Sequence, residues 1–302
     1  MIILFNKLVI IEKINVLPEH IEKLNNIAKE VIYYQDLPSN DQEIIERIDD
    51  ADAVLLSYTS SISKHVLESC KNIKYIGMCC SLYSKESANV DIETAEKLGI
   101  TVKGVRDYGD EGVAEYIICE LVRFLQGYNG YKWDNVGHEI TNLKCGVIGL
   151  GTSGTLIAKT LKFFKAEVSY YSRTRKEHLE QEHGFIYKDL NTLCKESEAI
   201  FLALNKNVFL LQKEQFDLMN GKKILFNTSI GPGFDVDALS DWLQDKNHFF
   251  FGDTLATIGN DYLWDLDNTF TINRSSGGQT YQAFVRLGEK VLKNINEYLE
   301  HN

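Results

Sequence analysis

Gly149, Gly151 and Gly154 stand in a G-x-G-x-x-G spacing between the apolar run 145–148 and the residues Leu156, Ile157, Leu161 and Phe164, which recur at helical intervals. The order is strand, tight turn, helix. Residues 168–171 supply a second strand, so the stretch 144–175 is a complete βαβ unit suited to holding a dinucleotide. Each glycine has its own task. Gly149 makes the turn, Gly151 lets a pyrophosphate approach the backbone, and Gly154 lets the helix pack close on its strand. The exposed amides around Thr152 and Ser153 at the helix start then face the phosphates. The competing reading is a helix start that needs glycines only for packing.

The end of the second strand bears on which dinucleotide is bound. An NAD site places an Asp or Glu there for the ribose 2′-hydroxyl, whereas an NADP site has a group that tolerates a 2′-phosphate. Here the positions are Ser172, Arg173, Thr174 and Arg175, with no acid until Glu177. A carboxylate would repel the phosphate. Arg173 can grip it with a forked pair of charged hydrogen bonds, and Ser172 and Thr174 can add hydroxyl donors. The residues therefore favour NADP(H), with NAD(H) as the second choice; a solvated basic turn is the bland alternative.

These residues need two sheets to position them. The 302 residues, 44% hydrophobic and 25% charged, predict a globular chain of two domains. A formal charge of -11 argues against a nucleic-acid or acidic-membrane partner. The six cysteines form no C-x-x-C pair and no zinc spacing, so they read as reduced core thiols of a cytoplasmic protein, and no metal is expected. The apolar start reads as a first strand, too short to span a bilayer.

Strand-like and helix-like segments alternate from residue 8 to 105: strands at 8–11, 31–34, 53–57, 73–79 and 100–105, helices at 19–29, 41–48, 64–70 and 91–98. That alternation predicts a parallel sheet covered on both faces. A long helix at 111–128 leads into the glycine unit. Strands at 199–204, 223–227, 249–251 and 269–272, with helices at 213–219 and 236–244, bring the second sheet to six strands. An amphipathic helix at 281–299 closes the chain.

With these elements in order, the chain resembles the D-isomer-specific 2-hydroxyacid dehydrogenase family. The resemblance rests on the segment 89–102, on Gly112-Val-Ala-Glu-Tyr, Gly146-Val-Ile-Gly-Leu-Gly and residues 170–176, and on Asn227-Thr, Val236-Asp-Ala-Leu, Leu266-Asp-Asn and Gly277-Gly-Gln-Thr. Residues 170–176 look most like the glyoxylate and hydroxypyruvate reductase branch. The resemblance implies two doubly wound α/β domains. A Rossmann NAD(P)-binding domain at 105–280 would be inserted into a flavodoxin-like substrate domain at 1–104 and 281–302, with a small-molecule substrate in the cleft. It also implies a homodimer built through the cofactor domain and the long helix. Leu204, Asn227 and Thr228 join the expected cofactor residues.

The same resemblance implies hydride transfer between C4 of a nicotinamide and C2 of a 2-oxo acid. A His donates the proton, a Glu tunes it, and an Arg binds the carboxylate. All three positions differ here. Ile230 stands at the Arg position, Gly259 (or Ala256) at the Glu position, and Ser275 (or Arg274, counted from the other side) at the His position. An aliphatic group cannot form a forked pair with a carboxylate. The seven histidines read as surface or capping residues. The carboxylate loop is also altered: residues 78–89 are longer and lack glycine, with Ser81, Tyr83, Ser84 and Lys85 as candidate substrate contacts. Arg106-Asp-Tyr-Gly-Asp replaces the usual Pro-Gly, bringing Tyr108 toward the expected cleft. Tyr108, Tyr83, Arg274 through a bound water, Ser275 or solvent are the candidate proton sources. Three functions fit: an NADP(H)-dependent oxidoreductase acting on a non-standard carbonyl or imine, a catalytically silent NAD(P)-binding sensor or partner subunit, and an ordinary glyoxylate or hydroxypyruvate reductase.

Overall fold

A computed structural model describes residues 4–130, 133–206, 208–272 and 276–301. Arg274 and Ser275 lie outside the described residues. The chain divides into two units, Met1–Tyr108 with Thr280–Asn302, and Gly109–Gln279.

The first unit alternates β1 (Phe5–Ile10), α1 (Pro18–Glu22), β2 (Ala28–Tyr33), α2 (Asp41–Ile48), β3 (Ala53–Leu56), α3 (Lys64–Ser69), β4 (Tyr75–Ser81), α4 (Ile92–Lys97) and β5 (Thr101–Val105). Its last helix, α11 (Tyr281–His301), comes from the end of the chain. The five strands are parallel in the order β2-β1-β3-β4-β5, the flavodoxin-like arrangement. Both faces are covered. Val9, Val54 and Ile76 pack under α2, α3 and α4, while Leu8, Leu55 and Tyr75 pack under α11 through Leu287, Val291 and Ile295. Side chains at helix starts fix the boundaries: Asn40, Ser63 and Asp91 each accept a hydrogen bond from an amide in the first turn.

The helix expected over 19–29 is shorter than its pattern. It stops at Glu22, continues as a 3-10 turn to Asn26, and gives way to β2 at Ala28. Ala28 pairs with Phe5 on β1, and that long-range pairing outweighs local helical periodicity.

The second unit contains α5 (Asp110–Gln126), β6 (Lys144–Ile148), α6 (Thr152–Phe163), β7 (Glu167–Tyr171), α7 (Glu177–His183), β8 (Ile186–Tyr187) and α8 (Leu190–Glu196). It continues through β9 (Ala199–Leu202), α9 (Lys213–Leu218), β10 (Lys223–Asn227), α10 (Val236–Trp242), β11 (His248–Gly252) and β12 (Thr269–Thr271). The sheet is parallel, in the order β12-β11-β10-β9-β6-β7-β8. It has seven strands rather than six. The extra edge strand β8 is two residues long and leaves no periodic signature. Counted from β6, the order is the doubly wound pattern 3-2-1-4-5-6 with one strand added, and the reversal of direction falls at β6.

Two histidines are buried where a surface or capping role is expected of each, and His248 does cap, at the last residue of α10. His248 is buried on β11, its ring stacked on Trp242 at 4.2 Å and its Nδ1 2.6 Å from the Trp242 carbonyl. His20 is buried on α1, against Gly288 of α11. Cys119 is exposed; Cys79 and Cys80 are buried on β4, and burial pushes the Cys79 thiol well up.

Candidate functional site

The turn between β6 and α6 sits where the sheet order reverses. Its backbone is fixed from both sides, because the Gly149 amide donates to the Tyr171 carbonyl at 2.8 Å and the Ala203 amide to that of Ile148 at 3.0 Å. The three glycines are not equivalent. Gly149 has φ +96°, and a Cβ there would lie 2.4 Å from the Ala203 carbonyl oxygen. A Cβ on Gly154 would fall 1.8 Å from the Gly149 carbonyl oxygen, so helix and strand approach too closely for any side chain. At Gly151 nothing lies within 4 Å of a Cβ position. That glycine leaves open space in front of the helix start, and the protein's own packing does not account for it.

The first helical hydrogen bond of α6 runs from the Thr155 amide to the Gly151 carbonyl at 2.9 Å, so the preceding amides point out of the helix. No side chain caps this end. The arrangement fits a pyrophosphate: open space, outward amides and the positive end of the helix dipole. The Ser153 hydroxyl, by contrast, donates to the Asp110 carboxylate at the start of α5, which leaves Ser153 its backbone amide for a ligand. Leu204 follows β9, its amide donating to Ser229 Oγ at 2.9 Å and its side chain packed toward Gly149 and Gly233.

The four residues after β7 separate. Ser172 Oγ donates to the Thr174 carbonyl at 2.6 Å and shapes the turn. Arg175 is engaged, contrary to its expected place at the cofactor. Its Nε and Nη2 meet the two oxygens of Glu180 at 2.8 and 2.7 Å, and its guanidinium lies over Tyr187. That fork, with the Tyr170 hydroxyl as the second donor, holds the Glu180 carboxyl down at about 2. Arg173 is exposed, and among the described residues no hydrogen bond or ion pair engages it.

The loops after β10 and β11 also redistribute expected roles. Asn227 is fully buried, not poised at a ligand. Its Nδ2 donates to the carbonyls of Gly231 and Thr257 at 3.0 and 2.8 Å, and its Oδ1 accepts from the Ser229 amide at 3.0 Å. Asn227 thereby ties the two loops together. Thr228 Oγ1 donates to the Leu202 carbonyl. Ile230 is 62% exposed at the loop tip. Gly259 has φ +81°, and a Cβ there would meet Val236 at 2.7 Å, so an acidic side chain at this position would be both strained and crowded.

Asp253 plays a part that spacing alone did not assign. It follows β11, is 2% exposed, and accepts from Ser276 Oγ at 2.8 Å and from the Gly277 amide at 3.0 Å. Its sequence signal is a carboxylate two residues after the apolar run 249–251. Burial raises its pKa, opposed first by the Ser276 hydrogen bond and then by the Gly277 amide. A raised carboxyl contributes stability below the ordinary carboxylate range that is lost as pH rises through the folded value. Asp253→Asn keeps an oxygen acceptor and should flatten that pH dependence in a denaturation series. Asp253→Ala orphans two donors and should cost about 2–4 kcal/mol.

In the first unit, the loop after β4 is bound up with itself and with Arg106. Ser87 Oγ accepts from the Tyr83 and Ser84 amides at 3.3 and 3.0 Å. Lys85, a candidate substrate cation, pairs instead with Glu96 at 2.6 Å. Tyr83 is 37% exposed beneath the Arg106 guanidinium. Burial pushes the Tyr108 hydroxyl up to about 12, opposed by its hydrogen bond with Ser81.

Residues 118–271 match the family model described as the D-isomer specific 2-hydroxyacid dehydrogenase, NAD binding domain. The chain belongs to the D-isomer-specific 2-hydroxyacid dehydrogenase family. Glyoxylate reductase of Pyrococcus furiosus is 26% identical over 279 residues, covering 84% of this chain and 81% of the relative. That of Thermococcus litoralis is 29% identical over 277 residues, covering 83% and 82%. Among solved structures, an acyclic imino acid reductase in complex with NADPH and D-Arg superposes with a TM-score of 0.83 at 23% identity, covering 98% of this chain and 97% of its own. The apo D-lactate dehydrogenase of Escherichia coli gives 0.80 at 22%, covering 98% of each chain.

The family and the α/β fold of two parallel sheets expected from the motifs are thus borne out. The chain is an NAD(P)-dependent oxidoreductase of the 2-hydroxyacid dehydrogenase type. Among the described residues, no helix is long and apolar enough to cross a membrane.

Proposed function

We propose that this family member is an NADP(H)-preferring reductase acting on a carbonyl or imine that it does not hold by the family's usual Arg, Glu and His. The observation carrying this reading is Arg173: exposed, unengaged, and standing where an NAD site would carry an acid. A bound nicotinamide would supply a hydride at C4. The residues of this chain would hold its phosphates with the 151–154 amides, meet the 2′-phosphate with Arg173, and bracket the dinucleotide with Leu204 and Thr228. The unit Gly109–Gln279 then serves as the cofactor domain, and Met1–Tyr108 with Thr280–Asn302 as the substrate domain. With Ile230, Gly259 and Ser275 at the family's catalytic positions, the proton comes from Tyr108, Tyr83, Arg274 through water, Ser275 or solvent. A shared fold with an imino acid reductase that holds NADPH supports room for both ligands. The enzyme is a cytoplasmic homodimer formed through α5.

Two other readings each have support. Aliphatic Ile230 and Gly259, where an acid would be strained and crowded, favour a silent NADP(H)-binding subunit; the glyoxylate reductase relatives favour ordinary 2-oxo acid reduction. Titration of purified protein with NADPH and NADH, followed by glyoxylate, hydroxypyruvate and a mixed aldehyde, ketone and imine panel, separates them. Turnover of a non-standard acceptor with NADPH is expected. Equal or tighter binding of NADH sinks the cofactor assignment, and NADPH oxidation by glyoxylate alone sinks the substrate assignment.

A further inference from the structure

Just past the end of β9 the backbone ladder of the second sheet gives out. The Ala203 amide still donates to the Ile148 carbonyl at 3.0 Å, but the next amide, that of Leu204, donates to a side chain, Ser229 Oγ, at 2.9 Å. Ser229 is 6% exposed and belongs to the loop after β10. A backbone amide held by a hydroxyl has no strand behind it, so its direction depends on where Ser229 stands.

Ser229 is in turn fixed by its neighbours. Its amide donates to Asn227 Oδ1 at 3.0 Å, and the buried Asn227 is tied through Nδ2 to the carbonyls of Gly231 and Thr257. Thr228 donates to the Leu202 carbonyl through its amide at 3.3 Å and its hydroxyl at 3.2 Å. The loops after β9, β10 and β11 thus form one hydrogen-bonded frame, all of it within the unit Gly109–Gln279. What the frame places is the Leu204 side chain. Its Cδ2 lies 3.2 Å from where a Cβ on Gly149 would stand, and its Cδ1 2.9 Å from where one on Gly233 would stand. The leucine occupies the space that a side chain at either glycine would need.

We infer that Ser229 is a positioning residue of the cofactor site: its hydroxyl sets Leu204 against the glycine turn, so that the leucine is in place before the dinucleotide arrives. A side chain ordered beforehand loses little freedom on binding, and the difference appears as affinity. The effect falls on NADPH and NADH alike, because the glycine turn serves both. The inference rests on the reading of Leu204 as a bracket of the dinucleotide.

The test is a double-mutant cycle read by calorimetric titration with NADPH and with NADH. Leu204→Ala, which keeps the backbone hydrogen bond, should weaken both dinucleotides about 20-fold, and Ser229→Ala about tenfold. The double variant should lose little beyond Leu204→Ala, because a hydroxyl that acts through the leucine then has nothing to place; independent effects would multiply to about 200-fold. Amide hydrogen exchange in the same proteins should quicken at Leu204 in Ser229→Ala while the amides of β9 stay protected. A loss of about 200-fold in the double variant overturns the inference, as does a Ser229→Ala protein that binds NADPH like the parent. Faster exchange throughout β9 overturns it too, by making Ser229 a residue of the fold and not of the site. A Leu204→Ala protein that binds both dinucleotides like the parent removes Leu204 from the cofactor site and takes the inference with it.

Discussion

Gly151→Ala should leave the fold intact and weaken NADPH about 100-fold, the equivalent of about 3 kcal/mol. The backbone at Gly151 is extended, with φ -81° and ψ -159°, which alanine adopts freely. No protein atom lies within 4 Å of the new Cβ, so the protein itself has nothing to clash with. A pyrophosphate drawn against the outward amides would meet the methyl directly. Gly154→Ala should do the opposite first. Its Cβ would lie 1.8 Å from a backbone oxygen that no rotamer change can move, so the start of α6 must shift off β6. Overpacking of this kind costs about 3 kcal/mol, which would lower the thermal midpoint by roughly 6–12 °C. Thermal melts paired with NADPH titrations read both effects. A Gly151→Ala protein that binds NADPH like the parent would remove the glycine turn from the cofactor site. An unchanged midpoint for Gly154→Ala would contradict the close approach of helix and strand.

The second large effect is on cofactor choice. Arg173→Ala should weaken NADPH by about 10–100-fold, since a charged hydrogen bond to phosphate contributes about 1.5–3 kcal/mol. NADH affinity should hold within about twofold, because the adenosine ribose then presents only a hydroxyl. Raising the salt concentration should erode the preference in the parent and not in the variant. Arg175→Ala is the informative neighbour. Its guanidinium already meets Glu180 through two hydrogen bonds, so its removal should change the α7 turn more than the dinucleotide preference. Parallel losses of NADPH and NADH in Arg173→Ala would instead make this residue a general contributor to the site.

Both experiments concern residues that the spacing of the chain already marked, yet the two arginines show the limit of spacing. In the sequence, Arg173 and Arg175 are interchangeable cations on one basic turn. In the fold, Glu180 on the following helix takes one of them, and the edge strand β8 brings Tyr187 beneath it. The edge strand itself leaves no mark in the sequence, because two residues cannot display alternation. Lys85 tells the same story: a cation in a candidate substrate loop, it faces Glu96 eleven residues on.

By itself the sequence determined the alternation of strands and helices, the glycine turn, the missing acid after β7 and the family resemblance. Each is written in local periodicity or in a backbone requirement that one residue type meets. A φ of +96° at Gly149 is such a requirement. Tertiary structure decided which polar groups remain available. It buried Asn227 between two loops, set Asp253 under the Ser276-Gly277 turn, enclosed His20 and His248, and oriented Arg106 with carbonyls from the neighbouring loop. Those outcomes depend on partners distant along the chain, Thr257 for Asn227 and Gly288 for His20. The physical reason is that a buried polar group must find a hydrogen-bond partner wherever the fold supplies one, and spacing does not record who that partner is.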